Sequence, residues 1–229
     1  MASTAFQTSL NYLSSTNLYD KEKPYEIWLD NVPAGLRPTN VAFQLYPDVA
    51  VYDARAVGLD SFSIEEHGFE FRRHPFPKDR CPISTAEEAI PTNEQRDAVL
   101  SYIDVMNKFL CESLGGEKAV CFDWRVRQSK GTPISKSPNM YTLDEDIDAR
   151  RMTIEVAHAI HADGSPDGIR RSLSYILSDE KKADIEAGQY RIRVINIWRP
   201  LVARIDNDAL AFCDRRTVEE TDWETVEKV

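Results

Sequence analysis

Hydrophobic positions recur along this chain in three spacings, and each predicts a different element. Val99, Ile103, Met106, Leu110 and Leu114 follow one another at intervals of three or four residues, which puts them on one face of a helix. Thr92 with Gln95 three residues on is a capping-box start, and Gly115-Gly116 is a stop, so the predicted helix spans 92–114. From Thr153 to Asp163 the period is two. Ile154, Val156, His158 and Ile160 share one face of the predicted strand, with His158 turned into the core. Thr153, Glu155, Ala157, Ala159, His161 and Asp163 share the other. The third spacing is a continuous apolar run, Val194-Ile195-Asn196-Ile197-Trp198, which predicts a long strand over 189–201 covered on both faces.

Between these lie two more helices. Ser165 is placed to cap one that starts at Pro166 and carries Ile169, Leu173 and Ile176, and Ser178 caps a second that ends at Gly188. Shorter strand-like runs are Tyr25–Leu29, Val49–Tyr52, Ala119–Trp124 and Ala209–Cys213. Prolines at 24, 33, 38, 47, 75, 77 and 82 exclude long helices from the first part of the chain. Residues 128–139 read as a loop, and the acidic stretch after Asp222 is expected to fray. The expectation is one domain over 1–229: an irregular part at 1–84, the helix at 92–114, and core strands and helices at 119–222.

Composition narrows the function classes. The chain has 229 residues, 42% hydrophobic and 29% charged, enough for a proper core and too apolar for general disorder. Its 28 basic against 38 acidic residues give a net charge of −10, which disfavours unspecific nucleic-acid binding. No apolar run has membrane-spanning length, and the N-terminal MASTAFQTSLNYLSS lacks the basic and apolar regions of a secretory signal. A cytoplasmic location is expected. Cys81, Cys111, Cys121 and Cys213 lie far apart with no CxxC pair, so they read as reduced, mostly buried thiols.

The candidate chemistry sits on the alternating strand. His161 and Asp163 are two residues apart and so leave the same side, beside the small Ala157 and Ala159. His-x-Asp is two thirds of the facial triad that holds non-haem Fe(II) in oxygenases, the third member being a distant histidine. The same residues also suit a plainer role: Asp163 as a turn or cap residue before Gly164-Ser165-Pro166, and His161 as a hydrogen-bonded surface group. A histidine-based site can draw only on His67, His74, His158 and His161.

The block Val156-Ala157-His158-Ala159-Ile160-His161-Ala162-Asp163-Gly164-Ser165-Pro166 is followed in order by Val194-Ile195-Asn196-Ile197-Trp198-Arg199-Pro200. Ala209-Leu210-Ala211-Phe212-Cys213-Asp214-Arg215-Arg216-Thr217-Val218 comes next, with weaker echoes upstream at Asp53-Ala54-Arg55, His67-Gly68-Phe69 and Phe122-Asp123 with Arg127. This order resembles the fungal AsaB-type hydroxylase/desaturase family, which takes in gibberellin desaturase-like and cephalosporin methoxylase-like proteins. The resemblance implies a double-stranded β-helix (jelly-roll) core flanked by helices, an α+β arrangement. It implies an oxidoreductase that uses Fe(II), with 2-oxoglutarate and O2 as cosubstrates, to hydroxylate or desaturate a small-molecule substrate of secondary metabolism. His161 and Asp163 match the family's metal pair. Arg199 is open to two readings, a bidentate holder of a cosubstrate or substrate carboxylate or half of a supporting ion pair. Asp214 and Arg215 are expected to fix a turn.

The family's distal histidine comes from strands after the Cys-Asp-Arg region, and no histidine follows His161 in this sequence. An alternative expectation follows: a catalytically impaired partner or scaffold subunit, a homo- or hetero-dimer that covers an open sheet edge with a full-length relative. A metal-free small-molecule-binding jelly roll is the third.

Overall fold

The computed structural model describes residues 5–27, 32–75, 93–128, 153–201 and 204–228. In chain order its strands and helices are β1 (Ala5–Leu13), β2 (Tyr25–Glu26), β3 (Phe43–Tyr52), α1 (Ala54–Val57), α2 (Ile64–His67) and α3 (Asn93–Leu114). Then come β4 (Val126–Gln128), β5 (Thr153–Glu155), α4 (Pro166–Ile176), α5 (Asp179–Glu186) and β6 (Glu227–Lys228). The chain divides into two compact units. Met1–Pro75, Val156–His161 and Asp206–Val229 form the first; Phe76–Glu155 and Ala162–Ile205 form the second.

In the first unit β1 and β3 pair antiparallel, with a register shift between Thr8 and Leu10. The extra residue falls on β3 at Pro47-Asp48, and Asp48 takes a positive φ of 59°. A proline cannot donate to a ladder, so a bulge is where a strand tolerates one. Asn40 is buried and does the local tying. Its Oδ1 accepts from Tyr25 N at 2.7 Å, and its Nδ2 donates to Lys23 O at 3.0 Å, around the fully buried Pro24. β2 pairs in parallel with β6. The tail expected to fray is therefore held, at Glu227 N to Pro24 O (2.8 Å) and by the Lys23–Glu227 ion pair.

A second cluster in this unit joins motifs about 150 residues apart in sequence, the separation of Glu66 and Arg216. Phe69 stacks on Phe62 and on Phe212, each at 5.0 Å between centroids, and Phe71 meets Phe62 edge-on. Gly68, at φ 84°, ends α2; a Cβ there would come within 3.3 Å of Arg215 Cβ. Asp214 caps the 3₁₀ turn Arg215–Thr217 by accepting from Arg216 N, as expected of a turn residue, and Arg216 also reaches Glu66 at 2.8 Å. The side-chain hydrogen bonds from Arg216 hold the Asp214 carboxyl down at about 2.

The second unit contains the long helix. α3 ends at Leu114 with Gly115 at φ 64°, and Val99 and Met106, from the predicted apolar face, are buried. Thr92 lies outside the described residues. α4 begins at Pro166 with Ser165 Oγ accepting from Gly168 N at 3.1 Å, and α5 begins after Ser178, which caps through Lys181 N. Gly188 follows at φ 74°. β4 and β5 pair in parallel with Arg127 opposite Ile154.

Several predicted strands are not formed. Ladder pairing on 153–163 stops at Glu155, apart from one bridge between Ala159 and Asn11. His158 is exposed rather than turned into a core. The run 189–201 is extended without ladder partners among the described residues, and Trp198 is 48% exposed, so it is not covered on both faces. Ala209–Cys213 and Ala119–Trp124 likewise carry no ladder, and Cys213 is an exposed thiol while Cys111 and Cys121 are half-buried. Apolar composition selects extended backbone, but a strand also needs a neighbour in register, which no local pattern specifies.

Candidate functional site

His161 is the last residue of the first unit's central segment, and Asp163 belongs to the second unit. Each is best described with its own neighbours. The segment carrying His161 is pinned by Ile160 N donating to Asn11 O at 2.9 Å. His161 is exposed, and its Nδ1 lies 2.7 Å from Ala159 O. A carbonyl can only accept, so this contact favours the tautomer with the proton on Nδ1 and the lone pair on Nε2.

Asp163 is exposed at the turn before Ser165, and its Oδ2 accepts a hydrogen bond from Asn196 Nδ2. Asn196 belongs to the extended 189–201 segment. Two residues on, Trp198 lies beneath the Arg127 guanidinium at 5.9 Å, and the next residue, Arg199, stands 5.7 Å from the Tyr102 ring of α3. Neighbouring side chains of this segment thus contact different elements. Asn196 meets the turn before α4, Trp198 meets β4, and Arg199 meets α3.

Asp123 is a further carboxylate of the second unit. It is mostly buried, and burial pushes it up to about 6 against the opposing pull of Arg125. The charge on Asp163 adds to the rise. Asp123 pairs with Arg125, whose Nη1 gives its hydrogen bond to Trp124 O at 2.8 Å. Burial in turn lowers the Arg125 guanidinium. The same burial raises the Cys121 thiol, which donates to Asp123 O at 3.2 Å.

As donors, His161 and Asp163 suit a ferrous ion. One offers an imidazole lone pair and the other a carboxylate, and each is oriented by a partner behind it, as metal ligands commonly are. Among the described residues no three His, Cys, Asp or Glu side chains gather as a metal-binding group. Asp123 and Asn196 each stood inside a quoted motif, Phe122-Asp123 and Val194–Pro200, but neither was given a role at the site. The available signal was one polar residue inside the apolar run 194–198.

No helix among the described residues is long and apolar enough to cross a membrane. The chain carries an oxidoreductase-like domain. It belongs to the family described as oxidoreductase/YMDC permease-like domain, which matches residues 10–229. Over 83 residues it is 35% identical to hydroxylase/desaturase CTB9 of Cercospora beticola, a stretch covering 34% of this chain and 25% of that protein. No solved structure matches the chain.

Proposed function

We propose that this chain is an AsaB-type, non-haem iron oxidoreductase that hydroxylates or desaturates a small natural product in the cytoplasm, on a jelly-roll core. The observation that carries the reading is the family match over residues 10–229, supported by the likeness to a hydroxylase/desaturase. Fe(II) with 2-oxoglutarate and O2 supplies an oxidant able to take hydrogen from an unactivated C–H bond. The chain's own contribution is to hold and orient. His161 presents Nε2 because Nδ1 faces a carbonyl, and Asp163 presents a carboxylate fixed by Asn196. Arg199 is assigned to a carboxylate of cosubstrate or substrate, with its guanidinium placed by Tyr102.

The test is anaerobic Fe(II) binding, with succinate release from 2-oxoglutarate, for the chain, His161→Ala and Asp163→Ala. Each substitution is expected to weaken Fe(II) binding by more than about 100-fold, the upper end of what the loss of an outer-shell partner costs. Equal affinity in all three proteins would overturn the metal assignment.

A second reading, a subunit that pairs with another chain, draws on the β1–β3 sheet. Among the described residues that sheet has two strands, and Phe6, Phe43, Leu45 and Tyr52 on it are 52–60% exposed. Light scattering on the purified chain decides between them: iron-dependent turnover by a monomer excludes the subunit reading.

A further inference from the structure

We infer that His67 is an acid-sensitive latch: its neutral ring ties the two ends of α2 together, and a second proton on that ring releases the 63–69 stretch from the Arg215–Thr217 turn. All of these residues belong to the first unit, and the inference is independent of the iron reading. His67 is 7% exposed, and its Nδ1 accepts a hydrogen bond from Ser63 N at 3.2 Å. A ring nitrogen accepts only while it carries no hydrogen, so the proton of the neutral ring sits on Nε2. Ser63 is the N-cap of α2, and its Oγ accepts in turn from Glu66 N at 3.3 Å. A side chain that reaches back to the N-cap N–H is a device glutamate or glutamine usually supplies. Histidine differs from glutamine in one respect: acid removes its acceptor.

Protonation puts an N–H on both sides of this contact and leaves the Ser63 donor without its acceptor. The nearest rings, Phe62 at 5.4 Å and Phe69 at 6.3 Å, stand edge-on and offer no lone pair in exchange. The charged groups around His67 pull in both directions. From the Arg215–Thr217 turn, the Asp214 carboxylate attracts a positive ring, while Arg216, bound to Asp214 and Glu66, and Arg215, packed on Gly68, repel it. On α2 itself stand Glu65 and Glu66, and just beyond it Glu70, paired with Arg72 at 2.8 Å. A four-residue helix holds its shape through such ties, since one turn is not stable alone. What loosens α2 therefore also loosens the seam beside it, where Gly68 meets Arg215 and Phe69 stacks on Phe212.

NMR of the full chain tests this between about pH 7.5 and about pH 5, the span in which histidines change charge. At the upper pH the ring nitrogen shifts are expected to show His67 Nδ1 without a hydrogen, and a proton there overturns the inference. On acidification, after correction for the intrinsic effect of pH, the 63–69 amides are expected to exchange about ten- to a hundredfold faster. The β1–β3 ladder of the same unit is expected to keep its rates. Unchanged exchange at 63–69, or equal acceleration in the ladder, overturns the latch. His67→Gln keeps an acceptor that does not titrate and is expected to abolish the acid response; a response that persists refutes the role of His67. Should that variant fail to fold, the ring shifts and exchange rates of the parent decide alone. Asp123 of the second unit, raised to about 6, titrates in the same span. Asp123→Asn is therefore expected to leave the response at 63–69 as it is, and its disappearance would assign the effect to Asp123 instead.

Discussion

Asp123 shows how one side chain can set a pH dependence. Its carboxyl is raised from 3.8 to about 6, first by burial, while Arg125 and the Trp124 N–H pull it down and Asp163 pushes it up. A folded-state value above the unfolded one means that the folded chain holds the extra proton between about pH 4 and 6. This group's contribution to stability therefore falls as pH rises through that window. Between pH 4.5 and pH 7 the loss is on the order of 2 kcal/mol, since a tenfold change in proton affinity corresponds to about 1.4 kcal/mol. Urea unfolding at pH 4.5 and pH 7 checks it: Asp123→Asn is expected to flatten the difference, and an equally steep difference in that variant would refute the assignment. Of the site, the expectation for His161 and Asp163 came from period-two spacing, a local property of the chain, whereas the ladder on that segment stops at Glu155, ahead of both residues. Asp123 and Asn196 carried no such local signal, because each reaches Asp163 only through folding, Asn196 across 33 residues and Asp123 through charge.

At the scale of elements, legibility divides along the same line. α3, α4 and α5 were readable because caps, stop glycines and apolar spacing all lie within the helix or beside it. Replacing Ser165 by alanine removes the acceptor for Gly168 N and is expected to cost about 1 kcal/mol, seen as a lower unfolding midpoint. The strands were less readable, since 189–201 has strand composition yet no ladder partner among the described residues. The contact between α2 and the Arg215–Thr217 turn was not legible either, although both motifs stand out in the sequence. Gly68 explains why that contact needs its residue: it combines a φ of 84° with a Cβ position 3.3 Å from Arg215 Cβ. Gly68→Ala is expected to cost about 1–2 kcal/mol from the left-handed conformation alone. It should also loosen the Arg216–Glu66 pair, which chemical shifts of the Arg216 guanidinium would report. A variant as stable as the parent would show that the backbone there relaxes freely.

At the scale of the whole chain, what matters is how the sequence is divided between the two units. The first draws on three separate stretches, and the backbone passes from one unit to the other after Pro75, Glu155, His161 and Ile205. Its elements are completed from afar. β2 has its parallel partner in β6, and Phe69 has its stacking partner in Phe212. Folding this unit therefore requires closing loops of well over a hundred residues, an entropic cost repaid only when both ends are present. Removing residues 206–228 takes away β6, Phe212, Asp214 and Arg216 together. The 24–27 and 63–69 stretches would then lose the Glu227–Pro24 hydrogen bond, the aromatic stack and the Glu66 ion pair at once. The core positions of α3, Val99 and Met106, lie in the other unit and lose none of these partners. Hydrogen exchange read by mass spectrometry should thus show protection collapsing at 24–27 and 63–69 in the shortened chain while 99–114 stays protected. Uniform loss across both stretches and α3 would mean that the two units unfold as one, and retained protection at 24–27 would mean that β6 contributes nothing to holding β2.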